Sequence, residues 1–117
     1  MSISLGKAEE RFADIIWNNE PLTTKELIYY GKKEFQWKRT TTYTVLKKLC
    51  NKGLFTMNDS IVTSKISRDS YYASMTEQFV DSNFHGSLPA FIAAFSSRKK
   101  LSETDLQELQ DLIDKMK

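Results

Sequence analysis

Apolar residues recur at helical spacing over most of the chain, and short apolar runs bounded by turn residues occur in only one place. Leu5, Ala8, Phe12, Ile15 and Ile16 fall on a single stripe, which predicts an amphipathic helix opened by Ser4 and stopped before Pro21. Thr23, followed three residues later by Glu26, forms a capping-box pattern for a second, shorter helix that buries Leu27 and Ile28. Gly31 weakens that helix, and the chain is expected to turn through "GKKEFQW" into a third. There Thr42, Val45, Leu46 and Leu49 share one face, and Gly53 supplies a left-handed cap. "LFTM" and "IVTSKI" then read as two short strands around the tight turn "NDS".

Three helices followed by a β-hairpin is the order of a winged helix-turn-helix. Beyond the hairpin the chain is helical again. Ser67 can cap a helix to about Phe84 that carries Tyr72, Met75, Phe79 and Val80. "HGS" breaks it, and Leu88, Phe91, Ile92 and Phe95 line a further helix that tolerates Pro89 in its first turn. Ser102 and Asp105 cap the last helix, Leu101 and Leu106 sit at staple positions, and Leu106, Leu109, Leu112, Ile113 and Met116 form its stripe. The fold class expected is therefore mainly α with a small β-hairpin. A winged helix-turn-helix head over residues 1–66 precedes a helical dimerisation region over residues 67–117. Helices with no further strand or core of their own need a partner, and self-association through Phe79, Phe84, Leu88, Phe91, Ile92, Phe95, Leu106, Leu109, Leu112 and Ile113 is the simplest answer.

A chain of 117 residues is long enough for one domain, or a small domain with an appendage, and hides roughly two-thirds of its unfolded surface. Cys50 is the only cysteine, so an internal disulfide is excluded and a reducing cytoplasm is the expected location. "MSISLGKAEE" lacks the apolar run of a signal peptide, and no segment approaches a membrane span, so no membrane partner is expected. Total charge is only +2, but its distribution is uneven. Residues 37–66 hold six basic side chains against one acidic, while residues 1–36 and 67–117 carry net charges of −1 and −2. A positive field focused on one segment points to an anionic partner.

That segment contains "WKRTTTYTVLKKLCNKG", with four threonines in five positions between basic pairs. Threonine is a mediocre helix former, because its branched β-carbon loses rotamer freedom against the preceding turn. Its use makes sense for a helix in the major groove of DNA. A short side chain lets the backbone approach, its methyl meets the thymine methyl, and its hydroxyl meets a base edge or phosphate. On this reading Thr40, Thr41, Tyr43 and Thr44 face bases, and Lys38, Arg39, Lys47 and Lys48 neutralise phosphates. The C-terminal helices would hold two heads about one helical turn of DNA apart, or a multiple of it. A second reading of the same residues is a winged-helix module whose basic helix docks an acidic protein.

The chain also resembles the penicillinase-repressor (BlaI/MecI/CopY) family of bacterial winged-helix regulators. The resemblance rests on Trp37, Thr41, Thr44, Val45, Leu46, Lys48, Leu49, Lys52 and Gly53, on the run from Phe79 through Phe84, Gly86, Ser87 and Leu88, and on the closing "KLSETDLQELQDLI". It implies a homodimer that binds a palindromic operator and represses transcription. For members answering to β-lactams it also implies relief by a regulatory protease, with the cut placed by the motif at Ala94–Phe95. Arg39 stands where the family often has proline, Tyr43 where it often has a basic residue, and the wing is short. No cysteine follows Cys50, which excludes the cysteine-rich metal hook of the copper-responsive branch.

No other cluster carries chemistry. Cys50 reads as a small boundary residue, His85 as a loop residue, Asp111 and Asp114 as a solvated face, and Trp17 and Trp37 as core. No nucleophile–base pair, phosphate loop or metal spacing stands out, so neither an enzyme nor a metal or other cofactor is expected.

Overall fold

The stripe from Phe12 to Ile16 forms the first helix, α1 (Lys7–Asn19), which buries Phe12, Ala13 and Ile16. In this computed structural model, which describes residues 4–117, α1 does not open at Ser4. Gly6 precedes it in an extended conformation, and the Gly6 N–H donates to Glu9 Oε1 at 2.9 Å. The carboxylate reaching back from the first turn, rather than a hydroxyl before it, marks the boundary. That bond, followed by the charge of Lys52, holds the Glu9 carboxyl below its usual range.

Thr23 and Glu26 form the reciprocal box expected of them. The Glu26 N–H donates to Thr23 Oγ1 at 3.1 Å, and the Thr23 N–H donates to Glu26 Oε1 at 3.0 Å. The helix they open, α2 (Thr24–Phe35), runs straight through Gly31. The turn expected through "GKKEFQW" therefore begins only after Phe35. Gly31 is buried, and a β-carbon there would lie 2.2 Å from Thr42 Oγ1, so the missing side chain lets the next helix pack close. α2 ends at Gln36, whose φ of 55° is left-handed, and the N–H groups of Gln36 and Trp37 donate back to Lys32 O and Gly31 O. A side chain in that conformation is strained by roughly 1–2 kcal/mol. Gln36→Gly should accordingly raise the stability of the protein by about 1 kcal/mol, seen as a higher urea midpoint at unchanged m-value.

α3 (Arg39–Asn51) buries Thr42, Leu46 and Leu49, and Gly53 follows it at φ 85°, the left-handed position expected. Three strands complete the head: β1 (Leu22–Thr23), β2 (Phe55–Asn58) and β3 (Ile61–Ser64), antiparallel in the order β1-β3-β2. The hairpin was legible in the chain, but β1 was not. Leu22 pairs with Val62 and Thr23 with Ile61, and Thr23 also caps α2. Asp59 and Ser60 bridge β2 and β3 with φ of 50° and 62°, the two positive values of a type I′ turn. Ser67 Oγ accepts from the Ser70 N–H at 3.0 Å and opens α4 (Arg68–Phe84).

Contacts divide the chain into a unit that ends at Thr76 and a unit Glu77–Lys117. The first has a continuous core of Phe12, Ala13, Ile16, Leu22, Leu27, Leu46, Leu49, Leu54, Phe55, Val62 and Tyr71. Tyr71, only 2% exposed, is buried more deeply than Tyr72 and donates to Glu10 Oε2 at 3.2 Å. Burial, with Glu10 beside it, raises the Tyr71 phenol well above its ordinary value. Trp17 packs against Phe55 and Tyr71 and donates its indole N–H to Ile66 O at 3.0 Å. These bonds tie the start of α4 into the winged-helix core.

In the second unit His85 (φ 51°) and Gly86 (φ 77°) end α4. Ser87 caps α5 (Leu88–Arg98), and Ser102 with Asp105 caps α6 (Glu103–Met116). The rings of Phe79, Phe84 and Phe91 meet with centroids 5.6–6.1 Å apart. Neither α5 nor α6 buries a single side chain. Among the described residues no helix is long and apolar enough to cross a membrane.

Candidate nucleic-acid interface

With Thr42, Leu46 and Leu49 turned inward, the opposite face of α3 has to be polar. Lys38, Arg39, Thr40, Thr41, Thr44, Lys47 and Lys48 are all exposed, and Tyr43 is half-buried. The structure thus brings the eight residues singled out in the sequence onto one short helix and its cap. Lys38 makes no side-chain cap at the α3 N-terminus. Thr44 Oγ1 donates to Thr40 O at 2.9 Å. Its hydrogen is spent on the backbone, so Thr44 offers outward only oxygen lone pairs and a methyl.

The positive charge of this segment is not all available. Lys52 Nζ donates to Ser4 O at 2.9 Å and lies 3.4 Å from Glu9 Oε1, so it fastens α3 to the start of α1. The Arg39 guanidinium lies 5.8 Å from the centre of the Tyr43 ring, within cation–π range. The Thr24 hydroxyl and then Arg39 lower the Tyr43 phenol below its ordinary value. Burial pushes the Cys50 thiol up, away from a reactive thiolate.

Clefts flank α3 on both sides. One of about 360 Å³ is lined by Thr24, Lys25, Ile28, Arg39 and Tyr43. Another of about 380 Å³ is lined by Tyr43, Leu46, Lys47, Cys50 and Met57. Thr24 and Lys25 are additions that the charge pattern could not supply, because they come from α2 and reach this face only through the packing of α2 on α3. The signal for them was the capping box, which fixes where the first turn of α2 begins. Among the described residues no group of His, Cys, Asp and Glu could hold a metal ion.

The model of one protein family, described as penicillinase repressor, matches residues 5–115. No individual curated protein matches the chain.

Proposed function

The chain belongs to the penicillinase repressor family, whose members are DNA-binding transcriptional repressors and not enzymes, and from that premise we propose that it acts as a homodimer on a palindromic operator. The observation that carries this reading is the outer face of α3, where Thr40, Thr41 and Thr44 stand exposed among Lys38, Arg39, Lys47 and Lys48 above a buried Thr42, Leu46 and Leu49. The threonines would read bases in the major groove and the cations would sit on phosphates. Selection of random duplexes by the purified protein, read by sequencing, tests the proposal. A palindrome is expected, and the absence of any sequence preference would instead favour a module that docks an acidic protein.

The roles within α3 separate by mutation. Lys48→Ala should weaken binding to all duplexes alike and reduce the salt slope by about one, because phosphates carry no sequence information. Thr41→Ala or Thr44→Val should re-rank operator variants at one position of each half-site. The expected change is about 1 kcal/mol, the low end for base readout, since a hydroxyl makes one contact rather than a bidentate pair. Affinity measurements on a panel of single-base operator variants decide between these outcomes. If both kinds of substitution scaled every affinity equally, α3 would not be the reader.

Self-association is supported by the apolar faces of the second unit. Phe79, Leu88, Phe95, Leu106, Leu112 and Ile113 are all exposed, Leu88 by 55%. Faces of this kind are normally covered by another surface, and in the proposed dimer a second copy covers them. Phe84, Phe91, Ile92 and Leu109 are half-buried among them. Sedimentation showing a monomer at micromolar concentration would overturn this part of the reading.

The proposed route of relief is a proteolytic cut between Ala94 and Phe95. That bond lies inside α5, where the Ala94 carbonyl accepts from Ser97 Oγ at 2.7 Å and the Phe95 carbonyl from the Lys99 N–H at 3.0 Å. A protease would have to meet α5 locally unwound. Mass spectrometry of the protein from induced cells tests this directly, and an intact chain under full induction would remove it.

A further inference from the structure

Arg39 and Tyr43 lie side by side on the outer part of α3. They are four residues apart on α3, so their side chains share a face, and the Arg39 guanidinium lies 5.8 Å from the Tyr43 ring centre. Both line the cleft of about 360 Å³ that Thr24, Lys25 and Ile28 line from α2. Lys25, Arg39, Tyr43 and Thr24 line the space together with the apolar Ile28, and no carboxylate does. The nearest acid in sequence, Glu26, is occupied by the Thr23 N–H and hydroxyl, each at 3.0 Å. Among the described residues neither Lys25 nor Arg39 forms an ion pair.

We propose that this cleft seats a backbone phosphate of the bound duplex, with Lys25 and Arg39 as its cations and Tyr43 as the residue that positions Arg39. A flexible guanidinium at the first position of a helix is otherwise free to sweep across the groove. The ring face restricts it, and restricting it lowers the entropy lost when the phosphate is bound. Tyr43 then serves Arg39 rather than a base. The inference rests on the DNA-binding reading and gives α2 a share of the interface.

The test is a salt series of operator affinities on the full-length protein, using the selected operator, its single-base variants and a random duplex. Lys25→Ala, Arg39→Ala and Tyr43→Ala should each lower affinity by up to about tenfold on every duplex. The two cation substitutions should each reduce the salt slope by about one. Tyr43→Phe keeps the ring under Arg39 and should retain wild-type affinity, and the Arg39→Ala/Tyr43→Ala pair should bind no more weakly than Arg39→Ala alone. Should Tyr43→Ala lower the melting temperature, Tyr43→Leu fills the cleft without a ring face and carries the same expectation. Re-ranking of operator variants by Tyr43→Ala, multiplicative losses in the double variant, or an unchanged salt slope in Lys25→Ala would each overturn the clamp. A wild-type protein without sequence preference would instead overturn the DNA-binding reading beneath it.

Discussion

A chain ending at Ala94 should bind the operator at least about a hundredfold more weakly than the intact protein while its winged-helix head stays folded. The reason lies in how the two units are built. The head core closes on residues before Thr76, with Tyr71 as its last buried member, so nothing after Ala94 belongs to it. The truncation removes 23 residues, including the stripe from Leu101 to Met116 and all of α6. Those residues form no core of their own, and in the proposed dimer their exposed apolar side chains would meet a second copy. Two joined heads bind with avidity because the second meets DNA at high local concentration, an effect of roughly 10² to 10⁴. Titration of a single half-site should show the truncated and intact proteins nearly equal, and the gap should open only on the full operator. Equal affinity on the full operator would refute avidity through the C-terminal helices.

Gly31→Ala should cost about 3 kcal/mol of folding stability, the upper end for inserting one carbon into a packed interior. Its β-carbon would lie 2.2 Å from Thr42 Oγ1 and 3.3 Å from Thr42 Cβ and Cγ2, and Thr42 is itself only 1% exposed, so it has nowhere to retreat. Thr42→Ala removes the oxygen and the methyl and should restore most of the loss. Alone, that change should be nearly neutral, since Thr42 Oγ1 is buried without a hydrogen-bond partner and its loss leaves nothing unsatisfied. Urea denaturation of the four proteins in the cycle measures the coupling. If the Thr42→Ala background failed to relieve Gly31→Ala, the close approach of α2 and α3 would not be the cause. The same contact sets where α3 stands, so Gly31→Ala should also weaken operator binding under conditions where it remains folded.

Gly31 shows why part of the fold was legible from the sequence and part was not. Most signals that act within four residues are legible. Thr23 with Glu26, Ser102 with Asp105 and the left-handed Gly53 are each decided by the backbone groups beside them. A glycine in mid-helix has two meanings, a weak helix or a close neighbour, and only the position of Thr42 tells them apart. Ser4 lost the α1 boundary to Gly6 because two capping patterns competed over three residues. β1 has only two residues, too short to show alternation, and exists because β3 lies beside it. Tyr71 and Tyr72 are adjacent and alike, and the packing of Trp17 and the acceptor Glu10 decide which is buried. The exposed polar face of α3 was legible because exposure there is the complement of a local apolar pattern. Lys25 was not, because it reaches that face from another helix.

The wing bears on the DNA that surrounds a binding site. From Phe55 to Ser64 the hairpin has no cation, and its tip presents Asp59. Minor grooves narrowed by runs of A·T pairs deepen the negative potential that draws arginine and lysine into them. A hairpin ending in a carboxylate is repelled by that potential. On the proposed reading, sequence flanking each half-site would go unread by the wing, and the genomic addresses the protein distinguishes would be set by the few base pairs beneath α3.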